Sequence, residues 1–285
     1  MVSTNITKLT YVLLHCKIKI RFFIYIKKSE GIFLDKKIIM IILGILGIVT
    51  LPVKIILEFI NPNYVRSTVF AVIFSVCVFL MMILSSRLAK HEQNDSPMKN
   101  MPLAIVSFLC SCSHIWGFIS YFKGPAPEDN KFQYFFLSIL SILSSLFFLF
   151  VSYSHYSGKN LFKKFQILLF CPILFYLVSL TVFFSFEIGT PSAYNVAGQS
   201  LILMFLIYYS NYYVTCSKKV LKQRSFVFGI PAAIVSASYS IPALCLNSWG
   251  SINSVTSIVY LMTAIYISLF LASRLKQPVG EKSFA

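Results

Sequence analysis

The chain has 285 residues, 57% of them hydrophobic and only 12% charged, with a mean hydropathy of +0.78 and a formal net charge of +16. A water-soluble domain carries roughly a quarter of its residues charged, so the composition excludes one and points to an all-α polytopic membrane helix bundle. The charge alone would suit nucleic acid, but the basic residues sit in short stretches between apolar runs. No RNA- or DNA-binding motif accompanies them, so no nucleic acid is expected as a partner.

A membrane-spanning helix needs about 20 consecutive apolar residues. The first apolar run, Leu9 to Ile26, fails because Lys17, Lys19 and Arg21 fall in its middle. Each would cost about 2.5–3.5 kcal/mol at a helix centre. Residues 1–37 are therefore expected to be a basic cytosolic or surface-lying segment. Met40 is an alternative start. No small-residue cleavage site follows a clean apolar core, so a signal peptide is not expected.

Eight spans follow, at 38–60, 66–86, 102–122, 132–154, 165–186, 196–214, 226–246 and 254–273, so that 38–273 forms the bundle and 274–285 a tail. Turn-forming residues separate them: Asn61, Pro62 and Asn63; the stretch from Lys123 to Asp129 with Gly124, Pro125 and Pro127; Gly189 to Ser192; and Asn247 to Gly250. Short loops of this kind force neighbouring helices to run antiparallel.

Orientation follows from the placement of Lys and Arg. Twenty-one of the 25 fall before span one, after spans two, four, six and eight, or in the linkers that follow them. Five acids share that side, so it carries the whole net +16. On the other side Arg66, Lys123 and Lys131 cancel Glu128, Asp129 and Glu187. Both termini are accordingly expected in the cytosol. The basic face should attract anionic lipid head groups, at about 1 kcal/mol per residue near the surface.

Each odd-numbered span holds a proline: Pro52, Pro102, Pro172 and Pro231. Residues 102–107 (PLAIVS) match 231–236 (PAAIVS) at five of six positions, and Ser86, Arg87 and Leu88 match Ser273, Arg274 and Leu275. A duplicated four-helix unit would give the offset of the first match, between spans three and seven. So would the ordinary use of proline in first turns.

Ionisable groups at membrane depth are candidates for function. Lys54 and Glu58 lie one turn apart and are expected to pair. At about 1.5 Å per residue Lys54 lies roughly 24 Å along span one, near the outer boundary, where it would reach water and where Arg66 could join Glu58. The same spacing puts His114 about 18 Å along span three, slightly outside the midplane, beside Ser111, Ser113 and Trp116. It is either a structural histidine bonded to a neighbouring helix or a proton relay or ligand contact. Asn211 is flanked by Tyr208, Tyr209, Tyr212 and Tyr213. Those rings read first as an interfacial belt, and second as a ligand box. Ser138, Ser141 and Ser145 form a stripe along which another helix can approach closely. Ser236, Ser238 and Ser240 precede Pro242, and some of them are expected to meet the backbone group that this proline leaves without a partner.

Seven cysteines, with Cys77, Cys110, Cys112, Cys171 and Cys245 within or at the ends of apolar runs, give neither a disulfide framework nor zinc-ligand spacing. No HExxH, GxSxG or Walker sequence occurs. No cofactor, metal site or catalytic residue is therefore expected, and an enzyme is the less favoured reading. Ser157 to Asn160 (SGKN) and Phe228 to Ala233 (FGIPAA) resemble segments of a loose group of multi-pass membrane proteins from anaerobic Gram-positive bacteria. That resemblance implies a bacterial plasma membrane and brings no activity with it. Three functions remain: a transporter-like or ligand-sensing bundle using His114, Lys54, Glu58 and Asn211; a non-catalytic accessory or structural subunit packed on other membrane proteins; and a lipid-modifying membrane enzyme.

The topology makes a direct forecast. In a cysteine-free background, Ala126→Cys and Gly189→Cys should label in intact cells with a membrane-impermeant maleimide. Gln93→Cys and Asn160→Cys should label only after permeabilisation. An odd number of spans would put one of these sets on the wrong side.

Overall fold

A computed structural model describes residues 36–60, 68–89, 99–123, 131–159, 161–186, 193–215, 219–246 and 252–275. Two compact units divide the chain, Met1–Ile39 and Met40–Ala285. Nearly all of the first lies outside the described residues, and the architecture below is that of the second. Also outside them are Arg66, the hairpin turns, most of the basic loops and the tail beyond residue 275.

The described residues are almost wholly helical and contain no strand. Their α-helices are α1 (Lys36–Ile60), α2 (Thr68–Leu88), α3 (Met101–Lys123), α4 (Lys131–Ser157), α5 (Phe170–Phe186), α6 (Ala193–Thr215), α7 (Lys219–Leu246) and α8 (Ile252–Leu275). Five contain a stretch long and apolar enough to cross a membrane: Ile38–Ile60, Met101–Lys123, Lys131–Ser157, Arg224–Cys245 and Ser254–Arg274. The apolar stretches of α2 and α5 are shorter, and Asn195, Gln199, Ser210 and Asn211 dilute α6. The span expected at 165–186 is shortened for a local reason. Pro172 has no N–H and its ring clashes with the carbonyl four residues back, so it belongs in a first turn. The α-helix starts at Phe170, and a short 3₁₀ turn at Gln166–Leu169 replaces its expected beginning, preceded by another at Leu161–Lys163.

Polarity is inverted relative to a soluble protein. On α3 and α4, Ser107, Ser111, Ser113, Ser138, Ser141, Ser144 and Ser145 are buried, while Phe108, Leu109, Trp116, Phe135, Phe136 and Leu149 are exposed. Water would reverse that arrangement. A lipid environment favours it, because the outer face meets hydrocarbon and small polar residues sit between helices.

The α3–α4 hairpin shows how the serines act. Ser152 Oγ donates to the Ala104 carbonyl at 2.7 Å, Ser111 meets Ser145 Oγ at 2.9 Å, and Ser141 Oγ donates to the His114 carbonyl at 2.8 Å. The register is antiparallel and constant along the pair. At its base Asn100 caps α3, its side chain accepting from Leu103 N–H at 3.2 Å while its own N–H donates to the His155 carbonyl at 2.9 Å. Gly158 ends α4 at φ +73°, a left-handed cap that suits glycine.

The last helix is the hub. α8 packs on α3 and α7, and its side chains reach α4, α5 and α6 as well. Thr256 Oγ1 meets Tyr121 Oη of α3 at 2.8 Å. Tyr260 meets Ser179 of α5 at 2.6 Å, and Thr263 accepts from Tyr176 of α5 at 2.8 Å. Tyr266 bonds Tyr209 of α6 and lies 3.4 Å from His155 Nε2 of α4. Spacings of four, three and three residues put these four hydroxyls on one broad stripe of α8. Helices α1 and α2 stand outside this group, against α7: Phe70 and Phe74 of α2 pack on Val235. The duplicated unit suggested by the sequence does not recur in the packing. α6 packs extensively on α7, whereas α2 and α3 have no comparable interface among the described residues.

A Cβ on Gly117 would come 2.8 Å from Ser141 Oγ. Gly117→Ala should therefore cost about 1 kcal/mol, close to the worth of an interhelical hydrogen bond in a membrane. Adding Ser141→Ala should recover part of that loss in reversible unfolding from mixed micelles. Strictly additive losses would mean that backbone contact, not the hydroxyl, limits the approach.

Candidate functional site

Of the four residues expected at a site, the structure brings together two. Lys54 and Glu58 form an ion pair at 3.0 Å on α1. Lys54 does not reach water as expected: it is 1% exposed, and its ammonium points at α7. There it donates to the Ser238 carbonyl at 3.0 Å and lies 5.9 Å from the centre of the Tyr239 ring. The reason lies four residues on. In an α-helix the Ser238 carbonyl would accept from the N–H of residue 242, and residue 242 is proline. Lys54 supplies a donor at that position. The serines expected to fill this gap do not: Ser238 Oγ donates to the Val235 carbonyl at 2.7 Å.

His114 lies elsewhere, fully buried. Its ring stacks on Phe148 at 5.3 Å and meets the edge of Phe175 at 4.9 Å. Neither ring nitrogen has a hydrogen-bond partner among the described residues. The hydroxyl of Ser141 goes to its backbone carbonyl, not to the ring. Asn211 is exposed on α6 and donates to the Ile207 carbonyl one turn back at 2.9 Å. Of its neighbours, Tyr208 stacks on Phe228 and holds Arg224 over its ring. Tyr209 departs from the expected interfacial belt. It is fully buried and joined to Tyr266.

A second polar locus lies where α6 meets α7, at residues that nothing in the sequence pairs with one another. The helices meet at Gly198, whose added Cβ would lie 3.1 Å from Ser236 Oγ. Beside this contact Gln199 Nε2 donates to Asn195 Oδ1 at 2.9 Å, and both residues are buried. Gln199 Oε1, Ser236 Oγ and Ser240 Oγ have no hydrogen-bond partner among the described residues. Ser236 and Ser240 are one turn apart, on the segment of α7 between Pro231 and Pro242. A buried polar atom without a partner costs several kcal/mol in an apolar surround, on the order of 2–7. Ser236 Oγ lies at the Gly198 contact, Ser240 is one turn along α7, and Gln199 follows Gly198 on α6.

The residues that the sequence reading missed are Tyr121, Tyr176, Tyr260, Thr263, Tyr266 and His155. Their signal was present in α8 as hydroxyl-bearing residues at helical spacing, but their partners lie 57 to 135 residues away. Among the described residues no group of three or more His, Cys, Asp or Glu side chains is placed to hold a metal ion.

Fold and surface together define a class: a multi-pass helical membrane protein with a polar interior. Compared with known proteins, the chain matches no family model, no curated protein and no solved structure.

His114→Phe should leave the protein folded and raise its melting temperature, because it removes two buried nitrogens that lack partners from an aromatic slot. A fall in thermal stability in the same detergent would show that the imidazole has a polar contact that matters.

Proposed function

We propose that the chain is an eight-span protein of a bacterial plasma membrane, with both termini cytosolic, acting as a transporter-like or ligand-sensing bundle. Support for the orientation comes from the helix ends. Arg87 closes α2, Lys99 precedes α3, Lys159 follows α4, Arg224 lies in the first turns of α7 and Arg274 closes α8. In an up-and-down bundle all five fall on one side. Anionic lipid head groups are its partner there.

The ligand reading rests on one observation: Gln199 Oε1 beside the Gly198–Ser236 contact on α6, and Ser236 Oγ and Ser240 Oγ on α7, a helix that contains two prolines, are buried without partners among the described residues. Proline-interrupted helices with unsatisfied groups at membrane depth are where membrane transporters build their sites. The site is moved from the neighbourhood of His114 to the α6–α7 seam. Its chemistry is neutral, an amide and two hydroxyls, so a small uncharged hydrogen-bonding solute fits it better than an ion.

A second reading is favoured by a different observation. The hydroxyls of α8 are paired and His114 sits between phenylalanines, as in a filled core. This suits a non-catalytic accessory or structural subunit that packs on other membrane proteins. Lipid-modifying chemistry has least support, since no pair of catalytic ionisable groups comes together at one interface among the described residues beyond Lys54 and Glu58, which bind each other.

Labelling separates the first two. In a cysteine-free background, Ser240→Cys should react with a water-soluble, membrane-impermeant methanethiosulfonate from one side, and added solute that occupies the seam should slow the reaction. If neither Ser236→Cys nor Ser240→Cys reacts, while an exposed control at residue 159 does, the seam is closed to water and the accessory reading stands.

A further inference from the structure

We propose that Lys54 is a detachable donor for the kink in α7, a latch by which the outlying helix α1 sets the conformation of α7 at Pro242. The geometry that points to this is independent of whether the α6–α7 seam takes a ligand.

Pro242 removes one hydrogen bond from α7 and leaves the Ser238 carbonyl without its helix donor. In the membrane interior no water replaces it, so another group must. A serine or threonine hydroxyl on the same helix would make a permanent repair. Here the positions whose side chains a helix would aim back at that carbonyl, 241 and 242, are isoleucine and proline, and Ser238 Oγ goes back to the Val235 carbonyl. The donor comes instead from a separate helix, through the long flexible side chain of Lys54 at 3.0 Å. Glu58 lies 3.0 Å from the ammonium and neutralises it, so the charge is tolerated without a counter-ion from α7.

The rest of the α1 contact is apolar: Leu57 packs on Phe70 and Phe74 of α2 and Val235 of α7. Gly47 faces Ile234, where an added Cβ would lie 3.2 Å from Ile234 Cδ1. Gly47, Thr50 and Lys54 share one face of α1 by their spacing of three and four. Both contacts advance in the same direction along the two helices, so α1 and α7 run parallel. The opposite face of α1 carries Ile45, Val49, Val53 and Ile56, all exposed. With Lys54 seated, the kink is satisfied and fixed. With Lys54 withdrawn, the Ser238 carbonyl is bare, and the part of α7 from Pro242 to Leu246 is free to swing until it finds another donor. Ser240, with its unpaired hydroxyl, lies inside that hinge.

The repair can be made in a second way, and that gives the test. Pro242→Ala restores the N–H and makes the lysine unnecessary as a donor. Lys54 and Glu58 are replaced together, as Lys54→Met with Glu58→Gln, so that no lone charge is left behind. In the otherwise natural protein this double variant should lower the melting temperature by roughly 5 °C and increase the labelling rate of Ser240→Cys severalfold. In the P242A background both effects should vanish. Equal losses in the two backgrounds would overturn the proposal, since Lys54 would then matter only for packing or for its pairing with Glu58. If P242A itself folds poorly, a spectroscopic distance settles the matter. Spin labels at Ile56→Cys on α1 and at the native Cys245 on α7 should show a broader, longer distribution in the Lys54→Met/Glu58→Gln variant than in the parent. An unchanged distribution would equally overturn the latch. Closure of the seam to label in the parent, with labelling gained only in the Lys54→Met/Glu58→Gln variant and a changed spin-label distance, would sink the ligand reading and leave the latch standing.

Discussion

The bundle depends on the hydrogen bonds that α8 makes with the helices around it. In a bilayer an apolar side chain gains little by leaving lipid for protein, so apolar surface alone cannot tell one helix arrangement from another. A hydroxyl can, because in hydrocarbon it has no partner except one on another helix or on its own backbone. Thr256, Tyr260, Thr263 and Tyr266 direct four such groups toward α3, α5, α4 and α6. Each bond contributes only about 0.6 kcal/mol on average in membrane proteins. Their effect is on specificity: a rotation of α8 by one residue, about 100°, would carry all four away from their partners at once.

Around that hub the close approaches are set by small residues. Gly117 admits Ser141, Gly198 admits Ser236, and Gly229 admits Leu271 and Phe205. These contacts bring backbones near enough for serine hydroxyls to reach carbonyls across the interface, as at Ser152 and Ala104. The aromatic residues then fill what remains. Phe147, Phe148, Phe175, Phe205 and Phe270 are buried and stack on one another and on the tyrosines. His114 belongs to this filling, which is why its polarity has found no use among the described residues.

What could be read from the sequence was whatever is encoded locally. Helix positions follow from runs of apolar residues, and each expected span overlaps a described helix. The Lys54–Glu58 pair needs only a spacing of four, and the stripe of Ser138, Ser141 and Ser145 needs only helical periodicity. The rest was hidden by distance along the chain. Nothing near Lys54 says that its ammonium turns away from water to a carbonyl 184 residues on. Tyr209 looked interfacial because it stands among other tyrosines near a helix end, yet the helix turns it inward while Asn211, two residues further, faces out. The start of α5 was misplaced because apolar residues suit a 3₁₀ turn as well as an α-helix, and the constraint came from Pro172.

The polar groups therefore fall into two sets with different consequences for motion. Most of those on α3, α4, α5 and α8 answer one another within the bundle, His114, Gln133 and Ser154 being exceptions among the described residues, so a displacement there breaks several bonds together. The set around α7 is answered incompletely or from outside: Ser236, Ser240 and Gln199 keep atoms without partners, and the Ser238 carbonyl depends on a side chain from α1. Two prolines in its interior remove backbone donors from the α7 ladder. The helix also sits where α1, α2, α6 and α8 converge. Within α7 the turn at Pro242 resists movement least, because one backbone hydrogen bond is missing from its ladder and the Ser238 carbonyl is held by a side chain from another helix.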